Sequence, residues 1–256
     1  MKFRSIKAGP IPDEAKIAQL REALSQNPQD AEAWLELGAA YSQSEFETAI
    51  RAYSRAIALA PFNGEYYFHR GRKYLSTDRY EEALADFHTS LRLEQSDAQP
   101  WHYLGVALYY LKMYEEAARY FRDALAMNKK TGDPCIWPEI DWVWMSLQRA
   151  GDAAGARAAL DLVADDEWSS ADDMAYKKRV RLYKGLISLE NYLDDLNRED
   201  ILDEITELYG AVNYCLFIAH DPQRAKELTD RIVDTAEYHN AFAWKCAAFD
   251  RRDGIA

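Results

Sequence analysis

Histidine and carboxylate side chains are the groups of this chain that could bind a metal ion or transfer protons, and their spacing decides whether they can act together. Paired acids such as Glu81 and Glu82 are adjacent in sequence, so they point in different directions on a helix and are typical of solvated faces. The sequence has no HExxH pair, no zinc-ligand spacing of His with Cys, no Gly-rich phosphate loop and no GxSxG elbow; its histidines are His69, His88, His102, His220 and His239. We therefore expect no catalytic site, no metal and no cofactor. An enzyme would need residues of the C-terminal region to converge, for example His220, Asp221 and His239.

The cysteines and the ends of hydrophobic runs indicate the compartment. Cys135, Cys215 and Cys246 are few, odd in number and far apart, which is typical of a reducing compartment rather than a disulfide framework. Residues 1–7 are basic but lack the apolar run of a signal peptide. No stretch approaches the ~20 apolar residues of a membrane span. We expect a cytoplasmic protein.

A repeated pattern of apolar and small residues organises the first half of the chain. Its fullest copy places Trp101, Leu104, Gly105 and Leu108 on one helical face, and Tyr114, Ala117, Phe121 and Ala124 on a second helix. Successive copies begin 33 and 34 residues apart, at Trp34, Tyr67 and Trp101. This period is typical of a solenoid of helix–turn–helix units. A glycine inside a helix costs roughly 1 kcal/mol relative to Ala, so we expect a close helix crossing at Gly38, Gly71 and Gly105.

These residues resemble the tetratricopeptide repeat family. The family pattern W-x2-L-G-x2-Y…A-x3-F is nearly complete in residues 34–41 and 101–108 and in their partner helices. The resemblance covers about residues 31–127. It implies an all-α fold, a right-handed α-solenoid of helical hairpins, with a concave groove that holds peptides or other proteins.

The phase of the repeats predicts which side chains line such a groove. They lie two residues before, and one, five and eight residues after, the first aromatic residue of each full copy; in the fourth copy Ile140 holds that slot. The candidate binding residues are Leu35, Ala39, Phe68, Arg72, Leu75, Gln99, His102, Val106, Tyr109, Asp141 and Met145. Most are apolar or aromatic, so either the groove takes an apolar or amphipathic segment or the C-terminal helices fold back and fill it.

Arg72 is the cation of this stripe in the three full copies. It could pair a carboxylate of a ligand or a neighbour such as Glu65. The family's clamp for C-terminal carboxylates uses Lys, Asn and Arg, but the relevant slots here hold Leu35, Ala39, Phe68 and Tyr103. The resemblance therefore does not support that clamp.

Composition and charge limit the class of partner. The chain has 43 Asp and Glu against 31 Lys and Arg, a net charge of −12, whereas nucleic acids and anionic membranes need a basic surface. We expect neither. The balance favours a protein or peptide of apolar or neutral-to-basic character, although acidic charge also simply keeps a chain soluble.

The predicted organisation has five parts: an N-terminal tail over 1–12, a capping helix (half a repeat) over 13–30, three repeats over 31–127, a divergent fourth hairpin over 128–165 after a longer loop, and degenerate helical repeats with a C-terminal cap over 166–256. In the fourth copy Trp144 occupies the glycine slot, so that hairpin must pack differently. A long helix is expected over about 171–195, and a helix start at Asp221 and Pro222.

Two functions from different classes fit this sequence. The first is a non-catalytic adaptor or scaffold that holds a partner polypeptide in the groove. The second is a self-assembling structural subunit, a homo-oligomer whose groove or C-terminal helices contact an identical chain. A concentration-dependent mass would favour the second.

Overall fold

The computed structural model describes residues 14–42, 44–95, 97–133, 135–166, 173–235 and 238–256. Within these ranges the chain forms 14 helices and no strand, which confirms the all-α prediction. The chain divides into two compact units, Met1–Met127 and Asn128–Ala256. The tail expected over 1–12 lies outside the described residues.

The first unit contains a capping helix and three helical hairpins. Its helices are α1 (Glu14–Gln26), α2 (Ala31–Tyr41), α3 (Phe46–Leu59), α4 (Gly64–Ser76), α5 (Tyr80–Leu93), α6 (Gln99–Tyr110) and α7 (Tyr114–Thr131). Ile17 and Leu24 of α1 lie in the same apolar cluster as Leu35 of α2 and Tyr53 of α3. The first helix therefore buries its apolar face on the first hairpin, as a cap of a helical stack does.

Each repeat glycine lies under an aromatic ring of the second helix of its hairpin. A Cβ atom would lie 2.5 Å from the ring for Gly38 and Tyr53, 2.7 Å for Gly71 and Phe87, and 2.7 Å for Gly105 and Phe121. These distances are shorter than any normal contact between carbon atoms. The glycines are therefore required by the close crossing of the two helices, which offsets their poor helix propensity.

The first aromatic residue of a repeat also donates a hydrogen bond to the turn before it. The indole Nε1 of Trp34 donates to the carbonyl of Pro28 at 3.0 Å. The hydroxyl of Tyr67 donates to the carbonyl of Pro61 at 3.1 Å. In both repeats the acceptor lies six residues earlier, so Tyr replaces Trp in the second copy without loss of this hydrogen bond.

The second unit contains the remaining helices. They are α8 (Trp137–Arg149), α9 (Ala153–Leu160), α10 (Met174–Tyr183), α11 (Leu189–Asp194), α12 (Ile201–Tyr214), α13 (Pro222–Val233) and α14 (Phe242–Arg252), with a π-helical turn Cys215–Ala219 continuing α12. Asp221 caps α13 by accepting a hydrogen bond from the Arg224 amide at 2.9 Å. The predicted helix start at Asp221 and Pro222 is confirmed.

The prediction of one long helix over about 171–195 was wrong. The chain leaves the helix after Tyr183, and Gly185 adopts a left-handed φ of 73°. The hydroxyl of Ser188 then accepts from the Asn191 amide at 3.2 Å and starts α11. The apolar pattern of the sequence continues across this break, because α10 and α11 both bury apolar residues in the second unit.

One turn geometry recurs in four hairpins. The residue two positions beyond the first helix has a positive φ, at Asp78, Lys112, Gly151 and Gly185. The next amide donates to the carbonyl five residues back, for example Met113 to Leu108 at 2.9 Å and Asp152 to Leu147 at 2.9 Å. This Schellman closure satisfies carbonyls at the end of the helix. It extends the hairpin pattern to α10, where the consensus residues are absent.

Replacing Lys112 by Gly should stabilise the protein. Lys112 holds a φ of 61°, a region that glycine enters without a steric penalty. We expect the free energy of unfolding to rise by up to about 1 kcal/mol in urea denaturation. The reverse change, Gly151→Ala, should lower it, because a Cβ there meets nothing within 4 Å and only the backbone is affected. If both variants were as stable as the wild type, this account of the turn would be contradicted.

The fourth hairpin accommodates Trp144 through α10. The Trp144 indole stacks on the Tyr183 ring with centroids 3.8 Å apart and planes 11° apart. Both side chains are buried. The indole is thus packed against the following helix, α10.

None of the helices in the described ranges is long and apolar enough to cross a membrane.

Candidate functional site

The predicted groove residues of the first unit fall into two groups. Buried ones are Leu35, Phe68, Leu75, Val106 and Tyr109. Partly exposed ones are Ala39, Arg72, Gln99 and His102. The apolar stripe that suggested a ligand is therefore largely used in packing within the protein.

Phe68 shows how this packing works. Its side chain has 0% exposure, and its ring lies 6.1 Å from that of Phe87 and 5.5 Å from that of Tyr103. These contacts join α4 to α5 and α6. Phe68 is thus a core residue between two repeats, and its truncation would lower stability by about 3–5 kcal/mol.

Arg72 is the groove residue with unused bonding capacity. Its guanidinium carbon lies 5.1 Å from the centre of the Tyr103 ring and 5.8 Å from that of Phe68. Over the described ranges Arg72 forms no ion pair with a carboxylate. Glu65, a possible partner from the sequence, instead lies 3.8 Å from Nε2 of His69. We call Ala39, Arg72, Gln99, His102 and Tyr103, all partly exposed, the Arg72 surface.

The side chain of the next residue, Lys73, contacts the turn between α2 and α3. Its ammonium donates to the carbonyl of Ser42 at 2.7 Å and lies 5.4 Å from the Phe46 ring. The side chain is buried, with 8% exposure. Burial, assisted by the charge of Arg72, lowers the pKa of Lys73 to about 7.

This pKa predicts a rise of stability with pH. Below pH 7 the folded and unfolded chains both hold the proton. Between about 7 and the ordinary value of 10.5 only the unfolded chain holds it, so the free energy of unfolding rises by roughly 1 kcal/mol per pH unit. Lys73→Met should remove this contribution in urea titrations from pH 7 to 9, whereas Lys16→Met, at an exposed site, should retain it. Identical slopes in the wild type and Lys73→Met would refute the assignment.

Sequence analysis missed a charged pair in the second repeat. Arg70 donates to both carboxylate oxygens of Asp86 at 2.7 Å, and also to the Ser54 hydroxyl at 3.0 Å. Arg70 occupies the slot that holds Leu37 and Leu104 in the other copies. The replacement of an apolar residue by arginine at this slot was the signal in the sequence that could have revealed the pair. The pair joins three helices and is part of the packing rather than of a binding surface.

Asp141 and Met145 lie in the interior of the second unit. Both are buried, and Nη2 of Arg179 lies 3.0 Å from Oδ2 of Asp141 and 3.0 Å from Sδ of Met145. Arg179 comes from α10 and is itself 2% exposed. These two candidate groove residues are therefore held by another helix of their own unit, and we leave them out of the proposed binding surface.

A second buried ion pair lies on the same face of α8. Nη2 of Arg149 donates to Oδ2 of Asp250 at 2.6 Å and to the Tyr209 hydroxyl at 3.2 Å. The Tyr209 hydroxyl in turn donates to Asp250 at 2.9 Å. Helices α12 and α14 thus pack on α8 through hydrogen-bonded charges. In this unit the C-terminal helices occupy the face that the repeat phase had offered as a groove.

Turn spacing could have revealed Arg179. It lies six residues before Gly185, the left-handed residue of its turn. Arg72 and Met145 stand at the same distance before Asp78 and Gly151. Arg179 therefore has the same position relative to its turn as these two stripe residues.

Groups that an enzyme would need serve local roles. Asp221 caps α13, and the His239 ring lies 4.6 Å from that of Trp244. The Cys135 thiol donates to Asp173 at 3.8 Å, and burial together with nearby acids raises its pKa, which disfavours the reactive thiolate. In the part of the chain that the structure describes, no group of three His, Cys, Asp or Glu residues is placed to hold a metal ion.

Models of the tetratricopeptide repeat match the first unit. One covers residues 98–131, and another covers 17–64 and 39–100. Together these segments contain most of α1, all of α2 to α7 and the Arg72 surface. The match agrees with the glycine–aromatic crossings in all three hairpins.

Relatives share the repeats over part of their length. The Hsp70-Hsp90 organizing protein of Triticum aestivum is 37% identical over 35% of this chain and 16% of its own length. BBSome complex member BBS4 of Xenopus tropicalis is 26% identical over 55% of this chain and 26% of its own. Anaphase-promoting complex subunit 3 of Schizosaccharomyces pombe is 25% identical over 87% and 31%. The chain thus spans less than a third of each of these relatives.

Solved structures show the same fold at low identity. Cut9–Hcn1, an APC/C hetero-tetramer, is 18% identical with a TM-score of 0.60, over 92% of this chain and 46% of that one. MamA is 14% identical with a TM-score of 0.54, over 67% and 90%. Both likenesses support the α-solenoid fold. The repeat models and the glycine–aromatic crossings show that residues 17–131 of this chain consist of tetratricopeptide repeats.

Proposed function

We propose that the first unit binds a segment of another polypeptide on the Arg72 surface, and that the chain acts as a non-catalytic adaptor or scaffold. The observation that carries this proposal is Arg72 itself. Two aromatic rings fix its guanidinium, yet no carboxylate of the described chain pairs with it. Arginine offers five N–H donors in a rigid fork, a geometry suited to carboxylates and carbonyls.

The neighbours of Arg72 suit a polypeptide ligand. Gln99 and His102 are partly exposed and can donate or accept hydrogen bonds, and Ala39 leaves room on the adjacent helix. We propose a partner segment that is neutral to basic overall and places one carboxylate group against Arg72. The apolar contribution comes from the partly exposed Tyr103 ring rather than from the buried Phe68.

The names of the relatives support an interaction role. The Hsp70-Hsp90 organizing protein and subunit 3 of the anaphase-promoting complex are named for work with other proteins. Because this chain spans less than a third of either, their partners are not carried over. We also propose a cytoplasmic location, which is consistent with the reduced cysteines Cys135, Cys215 and Cys246.

A peptide selection tests this proposal. A random peptide library displayed on phage is selected on the full-length chain, and the dissociation constant of the best synthetic peptide is measured by calorimetry. Arg72→Gln should weaken binding roughly tenfold or more, since a hydrogen bond to a charged group is worth about 1.5–3 kcal/mol. Arg55→Gln, an exposed change on α3, should leave it unchanged.

Two results would contradict the proposal. One is a selected peptide that binds Arg72→Gln and the wild type equally. The other is a mass, measured by light scattering, that doubles with concentration, combined with loss of association in Arg72→Gln; this outcome would favour self-assembly through the same surface. Melting curves of both variants should match the wild type, because neither side chain is buried.

A further inference from the structure

A pocket in the second unit lies where three helices begin. Its volume is about 270 Å³. The walls include Tyr176 of α10, Leu202, Asp203 and Thr206 of α12, and Phe242 of α14. Pockets for drug-sized ligands start at roughly 300 Å³, so this one suits a single long side chain. It shares no residue with the Arg72 surface.

The charged group of this pocket is the Asp203 carboxylate. Its Oδ2 accepts a hydrogen bond from Nδ2 of Asn197 at 2.9 Å. Asp203 forms no ion pair with a Lys or Arg of the described ranges, and it is partly exposed. A carboxylate with bonding capacity to spare in a concave site favours a cationic ligand, above all a guanidinium that can pair with both oxygens.

The remaining walls suit the rest of a long basic side chain. Tyr176 and Phe242 contribute aromatic rings to the lining, and a ring attracts a cation placed over its face. One cation already lies near Tyr176, since the guanidinium carbon of Arg179 is 5.5 Å from the centre of its ring. Leu202 is 41% exposed at the pocket and offers apolar surface to an aliphatic stem. Arginine fits this combination better than lysine, because its planar group both stacks on rings and pairs with a carboxylate.

The charge of the second unit favours the same ligand. Residues 128–256 contain 25 Asp and Glu against 16 Lys and Arg, whereas residues 1–127 contain 18 against 15. Helix N-termini carry partial positive charge and would oppose a cation. At α12, one of the three helices that begin here, this charge is offset by Asp200, whose carboxylate caps the helix. Glu199 is exposed and is not among the residues that line the pocket.

We propose that this pocket takes an arginine side chain of a basic polypeptide segment. The carboxylate of Asp203 pairs with the guanidinium, and the rings of Tyr176 and Phe242 flank it. This second contact is separate from the binding assigned to the first unit. Either can hold when the other fails.

Titration of the full-length chain with short peptides tests the pocket. The probe is the blocked peptide Gly-Arg-Gly-Arg-Gly, followed by amide chemical shifts in ¹⁵N-labelled protein. Its controls are the same peptide with citrulline, which is neutral but has nearly the same shape, and with glutamate. We expect shifts at Ala175, Leu202 and Phe242 with the arginine peptide, and much weaker ones with citrulline or glutamate.

Matched variants locate the charge. Asp203→Asn keeps the size of the side chain and should weaken the arginine peptide roughly tenfold or more. Glu199→Gln removes the same charge from the exposed loop and should change affinity less than about twofold, since exposed charges are screened by salt. A citrulline peptide that binds as well as the arginine peptide would overturn the proposal. So would equal effects of the two variants, shifts confined to other parts of the chain, or no shifts at millimolar peptide.

Discussion

Asp141→Ala will lower the free energy of unfolding by about 3–5 kcal/mol, because it leaves the Arg179 charge buried without a partner. Asp141 has 0% exposure, and its carboxylate lies 3.0 Å from the guanidinium. Urea denaturation followed by tryptophan fluorescence reports on this region, since Trp137, Trp142 and Trp144 are buried in the same unit. Asp161→Ala, at the exposed residue that follows α9, is the matched control and should change little.

Replacing both members of this pair should have a far smaller effect. Burial raises the pKa of Asp141 to about 6, so the attraction of Arg179 does not fully offset the loss of water around the carboxylate. Buried ion pairs can often be exchanged for apolar residues at no cost, or with a gain of about 1–4 kcal/mol. We expect Asp141→Leu combined with Arg179→Met to be at least as stable as the wild type. A double variant as unstable as Asp141→Ala would show that the pair is indispensable to the packing.

Gly105→Trp will destabilise the first unit by about 3 kcal/mol or more through overpacking. Even a Cβ atom at this position would lie 2.7 Å from the Phe121 ring. Tryptophan is tolerated in the corresponding slot of the fourth hairpin because Trp144 stacks on Tyr183 of the next hairpin. The melting temperature and the urea midpoint measure the effect.

Gly105→Ala gives the sharper version of this test. Helix propensity alone predicts a gain of roughly 1 kcal/mol, whereas the contact with Phe121 predicts a loss. We expect a loss, and we expect Phe121→Leu to relieve part of it in the double variant. A stabilised Gly105→Ala protein would mean that the helices do not cross as closely as described.

The repeat architecture of the first unit could be predicted because its determinants are local. A glycine and an aromatic residue 15 or 16 positions later in the same hairpin, such as Gly105 and Phe121, specify one helix crossing. Three tandem copies repeat that signal at a fixed period. In the second and third copies the end of the first helix is likewise set by a short turn, in which Asp78 and Lys112 take the left-handed conformation without being glycine.

The binding stripe could be located from the sequence but not interpreted fully. An apolar side chain at the position of Phe68 satisfies the pattern whether it contacts a ligand or the next repeat. The structure shows the second situation for Phe68, which packs on Phe87 and Tyr103. Arg72 differs, because the residue stays partly exposed.

The polar interior of the second unit was beyond sequence analysis. Arg149 pairs with Asp250, 101 residues later, and no periodic pattern links them. Charged residues are rarely buried, so residue type alone favours the surface for both. Only the position of Arg179 before its turn carried information about its place in the fold.

A charge-reversal experiment tests most directly whether the first unit binds polypeptides at Arg72. The selected peptide is made in two forms, one with its acidic contact residue and one with Lys in that position. Arg72→Glu should lose the acidic peptide and bind the Lys form better than the wild type does, with Arg55→Glu as the matched control. Rescue of this kind requires direct contact between the two side chains. Undiminished binding of the acidic peptide by Arg72→Glu, or loss of both peptides without rescue, would contradict the assignment of the site.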